Sequence, residues 1–291
     1  MLNLLHYEYI FFIVSSCFFY FFAQKVTRDR RQGRDRRQGR QVVDKDVSIS
    51  KSRYNVSYLI EILEDISDDE RQFLRDVGFG CVLDLDVGAV PWSFLQWVAD
   101  HVEVDKEEMT FDDQSIPITP ESFGQVLGIS TAGDPVPREG KMSTILFLEC
   151  FGLSELPPIK YFGEKVKKKG LEKDEFIRCV MVVALSCFYC PTSNTKPSTS
   201  YLGALIDTDK IKTYNWGKLV HGWNLFYIKK YQKSTSTLAM CNYYFAVSMQ
   251  SFILRHFFHF FSILGLFVVW NDIFFVLISW PHTSGSMLGF P

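Results

Sequence analysis

The sequence predicts a mainly α-helical fold: a compact multi-helix domain with a small β-hairpin, flanked by a disordered basic linker and apolar terminal segments. Three observations predict it. Helix-start and helix-stop residues recur between Ser67 and Lys233 around apolar residues at helical spacing. Two short runs around Met109 and Ile116, separated by polar residues, have the length of a hairpin. Beyond these bounds the capping signals stop and the composition turns basic or apolar. With 291 residues, 47% of them hydrophobic, core material is ample. The predicted organisation is an apolar segment over 1–24, a basic then acidic linker over 25–66, a helical domain over 67–233, a linker over 234–250 and an apolar segment over 251–291.

Ile10 to Ala23 is an apolar run of about signal-peptide length, and its flanks argue against secretion. The positive charge lies behind it, from Lys25 onward, instead of before it. If the run inserts, the following chain stays cytoplasmic; the plainer alternative is an N-terminal extension. Asp29 to Arg34 and Asp35 to Arg40 are one hexapeptide, DRRQGR, in tandem. This repeat is far too short for a solenoid unit. The net charge of -2 conceals this basic arm, Lys25 to Arg40, which would neutralise phosphates in weak contact with nucleic acid or on a membrane surface. It has no interleaved aromatics to stack on bases, and its other reading is a solvated linker.

From Ser67 the local signals become specific. Ser67 and Glu70 form a capping box, and the helix they open should run to about Asp76 before Gly78. Phe79 to Leu85 is a brief apolar turn or strand. Pro91 opens a helix with a wide apolar face of Trp92, Phe94, Leu95, Trp97 and Val98. Met109 to Phe111 and Ser115 to Ile118 make the hairpin. Thr119-Pro120-Glu121 starts a helix that turns Phe123, Val126 and Leu127 inward and stops at Gly128.

Gly133 to Gly140 is a loop and Ser143 to Phe151 a helix. Pro157 opens another helix, ending in Lys165, Lys167, Lys168, Lys169 and Gly170, where lysines complement the carbonyl end of the helix dipole. Asp174 is the expected cap of a central helix, Glu175 to about Tyr189, apolar on nearly all sides and therefore buried. Pro191 to Ser200 is a polar loop. Asn215 caps a helix whose Trp216, Leu219, Val220, Trp223 and Phe226 or Tyr227 recur at helical spacing. Phe257 to Trp280 is long enough to cross a bilayer, with Asp272 as an internal cost. A rival account reads that tail as translated intron.

No Walker or dinucleotide glycine loop, HExxH or paired CxxC pattern is present in the sequence. Seven cysteines without regular spacing fit a reducing compartment better than a disulfide framework. Cys187-Phe188-Tyr189-Cys190 lies at the end of an apolar helix, whereas a redox CxxC precedes its helix; its thiols read as structural. Zinc would need ligands beyond His221. The expectation is a non-enzymatic chain with no catalytic, cofactor-binding or metal residues.

Four pieces carry a family resemblance: Val77-Gly78-Phe79-Gly80 with Leu83-Asp84-Leu85; Trp92 to Val104; Ile116 to Gly128; and Phe176 to Trp216 with its proline loop and Tyr214-Asn215-Trp216. In this order they resemble the aminotransferase-like plant mobile domain, a transposon-derived region often found upstream of a ubiquitin-like (SUMO-type) protease domain. The resemblance covers roughly Gly78 to Lys233. It implies an interaction or DNA-associated scaffold in the nucleus with an unidentified protein partner, and it places no catalytic residue on this chain. Two alternatives stand beside it. One is a protein anchored in a membrane through Phe257 to Trp280, and the other an N-terminal fragment of a SUMO-type cysteine protease.

Overall fold

A computed structural model describes residues 56–85, 90–111, 114–137, 140–234 and 238–263. Ile10 to Ala23, the arm Lys25 to Arg40 and the tail beyond Ile263 lie outside them. The described residues up to Ser248 belong to one compact unit, and Met249 opens a second.

The expected class holds, a mainly helical fold with a small antiparallel sheet. Helix α1 (Val56–Leu63) buries Leu59, Ile62 and Leu63, an i, i+3, i+4 stripe. Residues assigned to the acidic half of a linker are thus part of the core, because three apolar side chains on one face outweigh the polar residues around them. Helix α2 (Asp68–Asp76) starts at the expected capping box: Glu70 N–H donates to Ser67 Oγ at 3.3 Å, and the Glu70 carboxylate accepts from Ser67 N–H at 2.8 Å. A 3-10 turn (Gly80–Asp84) follows, where either a turn or a strand was expected. Helix α3 (Trp92–His101) buries Phe94, Leu95, Trp97, Val98 and Ala99.

The hairpin gains a third strand. β1 (Val102–Glu103), β2 (Glu108–Phe111) and β3 (Gln114–Pro117) pair antiparallel in that order, with Val102 opposite Met109 and Met109 opposite Ile116. Helix α4 (Pro120–Leu127) begins on Thr119, whose hydroxyl accepts from Ser122 N–H, and ends at Gly128 in the left-handed region. Helices α5 (Lys141–Glu149) and α6 (Ile159–Lys168) precede the central helix α7 (Lys173–Ala184). From Phe176 to Ala184 every α7 residue but Arg178 is buried, and α1, α2 and α6 pack against it. α7 runs into a π turn (Leu185–Tyr189), then 3-10 segments (Thr199–Leu205 and Thr208–Thr213), then helix α8 (Trp216–Ser234).

Two expectations about these helices are corrected. Asp174 lies in the first turn of α7 and not at its cap, which is Glu172 without a side-chain bond; Asp174 instead accepts from Thr208 Oγ1 at 2.8 Å. On α8 the buried residues include Trp216, Val220, His221, Asn224, Leu225, Ile228 and Tyr231; of the expected Phe226 or Tyr227, Phe226 is 61% exposed and Tyr227 is half-buried. The sheet and α3 dock on α8 through polar contacts: Gln232 Nε2 donates to Ala99 O (2.7 Å) and Val102 O (2.8 Å), and Lys229 pairs with Asp105 at 2.6 Å.

The segment taken for a second linker, 234–250, also joins the core where it is described. Leu238 to Cys241 are buried, and Cys241 N–H donates to buried Asn224 Oδ1 at 2.6 Å. Helix α9 (Asn242–Ile263) begins there, with Tyr244 stacked on Phe123 at 3.6 Å. Among the described residues no helix is long and apolar enough to cross a membrane.

A seam closes the α4 end onto α8. Gly133 has φ +100°, Asp134 N–H donates to Thr213 O (2.9 Å), and Asn215 N–H donates to Asp134 O (2.7 Å). Asn215 caps α8 through Lys218 N–H and donates to Thr131 O at 2.6 Å. A Cβ at Gly133 would lie 1.9 Å from Thr213 O. Gly133→Ala is therefore expected to cost about 3 kcal/mol or more, combining left-handed strain with overpacking against backbone. Asn215→Ala is expected to cost about 2 kcal/mol. Urea unfolding of the two variants checks the order; a Gly133→Ala midpoint equal to wild type would refute the seam.

Candidate functional site

Helix α6 has two faces that its spacing separates. Ile159, Phe162, Gly163 and Val166 are buried, and Lys160, Tyr161, Glu164, Lys165 and Lys168 recur on the opposite side. With Pro158, Lys169 and Leu171 they line an open cleft of about 700 Å³.

The lysines here divide into two kinds. Lys165 pairs with Glu175 of α7, and Lys167 pairs with Glu61 of α1 at 2.6 Å and approaches Glu164 at 3.9 Å. Hydrogen bonds to Glu175 and Glu61 raise the pKa of Lys165 and Lys167 respectively. Lys160, Lys168 and Lys169 are exposed and make no ion pair among the described residues. Tyr161 sits among them, its ring edge on Phe162 and 5.7 Å from Lys165 Nζ.

The helix end has a backbone feature that the run of lysines hides. Lys169, not Gly170, is the C-cap, with φ +60° and ψ 174°. That combination is a region almost reserved for glycine, costing about 1–3 kcal/mol for a residue with a Cβ. Dipole complementarity accounts for lysines near the helix end but not for this backbone, which nothing in Lys-Lys-Lys-Gly announces.

A second surface was also missed. On α5, Met142, Ile145 and Leu146 are 65%, 49% and 41% exposed at i, i+3, i+4 spacing, while Phe147 and Leu148 face the core. The available signal was that apolar residues occupy more of this helix than one face can hold.

The groups that could suggest chemistry are engaged in packing. His221 Nε2–H donates to Ile118 O at 2.9 Å, with Glu107 Oε2 at 3.6 Å, which ties α8 to the end of the sheet. Ser122 Oγ donates to Thr119 O at 2.8 Å and contacts Tyr244 Oη at 2.6 Å. Among the described residues no cluster of three or more His, Cys, Asp or Glu could hold a metal ion.

A family model described as a domain of unknown function, DUF8566, matches residues 52–245. The chain belongs to the DUF8566 family. The match takes in both α1 and the start of α9, so the DUF8566 domain reaches past the 67–233 limits at each end. No curated protein and no solved structure matches the chain.

Within the DUF8566 domain the cysteines of the CxxC lie inside the fold: Cys187 on the π turn and Cys190 just after it, both buried. Burial pushes the Cys187 thiol up to about 12, and it raises Cys179 and Cys241 to about 12 as well. Cys190 is pushed well above its ordinary value by burial and then by Cys241. Cys150 is exposed.

Two outcomes follow from the burial. At about pH 8 a thiol with a pKa near 12 is about one part in ten thousand thiolate. Alkylation followed by mass spectrometry should therefore label Cys150 well before Cys179, Cys187, Cys190 or Cys241. The second outcome is a loss of stability in alkali. Cys179, Cys187 and Cys241 titrate near 9 in the unfolded chain and near 12 in the fold, so their contribution is complete below about pH 9. It falls as pH rises towards 12, by up to about 1.4 kcal/mol per pH unit for each thiol. Denaturation midpoints that stayed constant through that window would contradict the assigned burial.

Proposed function

We propose that this DUF8566 protein is a non-enzymatic, mobile-element-derived interaction module that works in the nucleus by contact with an anionic macromolecule. The observation that carries the reading is the α6 cleft: Lys160, Lys168 and Lys169 make no ion pair among the described residues and line one exposed face of the helix from its first turn to its C-cap. A lysine without a partner costs the fold little and offers its charge to a ligand. The ordered motifs resembling the plant mobile domain support a scaffold of this kind, and the arm Lys25 to Arg40 would add non-specific charge. The exposed stripe of α5 supports a role in contact over one in chemistry, since such faces mark interaction surfaces.

The test is retention of the full-length protein on heparin at neutral pH, with a second variant in which the arm's arginines are replaced by glutamine. The sequence pI is about 6.3, so net charge alone does not drive binding to a polyanion. Retention of both proteins, weakening steeply as salt rises, is expected. Passage of both through the column at low salt would overturn the reading.

A further inference from the structure

We infer that the exposed face of α6 is a binding site for single-stranded nucleic acid, with Lys160, Lys168 and Lys169 on successive phosphates and Tyr161 under a base. The inference rests on the interaction-module reading and names its ligand. Lys160 and Lys168 are eight residues apart on one helix, about 12 Å along the axis. That spacing suits a chain of phosphates better than one phosphate group, which would need its donors to converge. Tyr161 lies between them on the same face, only partly buried, and an aromatic ring flanked by cations is the arrangement that stacks bases without reading their identity. Glu164 is the one carboxylate in the cleft, and Lys167 approaches it at 3.9 Å.

Lys169 supplies an independent observation. Its backbone conformation favours glycine, so glycine there would stabilise the domain; the lysine keeps its charge at the mouth of the cleft at the expense of strain. A residue that opposes local stability yet adds to a charged face is placed for a ligand. Glycine would have capped the helix without the strain.

The experiment measures fluorescence anisotropy of a labelled oligothymidylate, about 20 nucleotides long, with the full-length protein, against a duplex of equal length and vesicles of anionic lipid. The single strand is expected to bind most tightly. Tyr161→Ala should weaken it roughly 5- to 150-fold, as loss of one stacked base does. Lys160→Gln should lower the salt slope by about 0.7. Lys169→Gly should weaken binding several-fold while raising the thermal midpoint. That opposition separates a ligand contact from a structural role, which would raise stability and leave binding unchanged.

Wild-type affinity in all three variants would overturn the site while leaving the interaction-module reading intact, the arm then carrying the contact. Heparin retention without oligonucleotide binding, or tighter binding to vesicles, would overturn the ligand class. Loss of heparin retention as well would remove the parent reading.

Discussion

The fold depends on burying α7 on all sides. A helix apolar around its whole circumference can be covered only if other elements enclose it, and its few polar groups then need partners from those elements. Arg178 shows the consequence. In the middle of the otherwise buried helix it reaches out to donate to Leu205 O at 3.1 Å and Ile206 O at 2.9 Å. Thr208 binds Asp174 one turn earlier, and Ser186, on the π turn, shares a 2.7 Å hydrogen bond with Tyr201. The chain after the π turn is therefore held along α7 by polar anchors at both ends. Two 3-10 segments suit this path because they need not complete a long helix while following a surface already set.

The same enclosure explains why α8 carries polar ties. Its neighbours on the other side are short: α3, α4 and a sheet of two- to four-residue strands, too small to be positioned by apolar area alone. Hydrogen bonds from Gln232, His221 and Asn215 to backbone carbonyls of these pieces set their orientation. Such bonds each contribute only about 1 kcal/mol net but leave a costly orphan carbonyl if lost. They act more as directional constraints than as a reservoir of stability. The buried Asn224, bonded to Val220 O and Cys241 N–H, does the same for the entry to α9.

What was legible in the sequence follows the range of each interaction. Ser67 with Glu70, Thr119 with Pro120 and Gly128, and Asn215 with Lys218 are contacts within a few residues, and all were readable as helix limits. The run from Phe176, apolar but for Arg178 and Ser186, correctly implied burial for the same reason. The sequence misled where distant residues decide. Asp174 looked like a cap because its preference for caps is local, whereas Thr208, thirty-four residues away, engages its side chain. Phe226 fitted a helical stripe, but the buried face of α8 runs through Trp216, Val220, Asn224 and Ile228 instead. Leu59, Ile62 and Leu63 were hidden by exposed Glu61 within the helix and by the acidic residues Glu64 and Asp65 that follow it. The α6 cleft was half legible: its lysines stand out, while their division into paired and unpaired groups depends on Glu61 and Glu175.

That division bears on how a run of like charge survives in a fold. Four lysines along one helix and a fifth at its C-cap repel one another, and exposed ion pairs return only about 0.2–1 kcal/mol each. Lys165 and Lys167 nevertheless join α6 to α7 and α1, so their charges are committed to orientation. Lys160, Lys168 and Lys169 have no such task. Dipole complementarity favours cations in the last turn, which covers Lys168 and weakly Lys169, but Lys160 sits at the opposite end of the helix, where the dipole opposes it. A purely structural helix would gain from an acidic residue at that position and from glycine at Lys169. Both departures add positive charge to the same cleft, and it is their agreement that sets this face apart from an ordinary solvated surface.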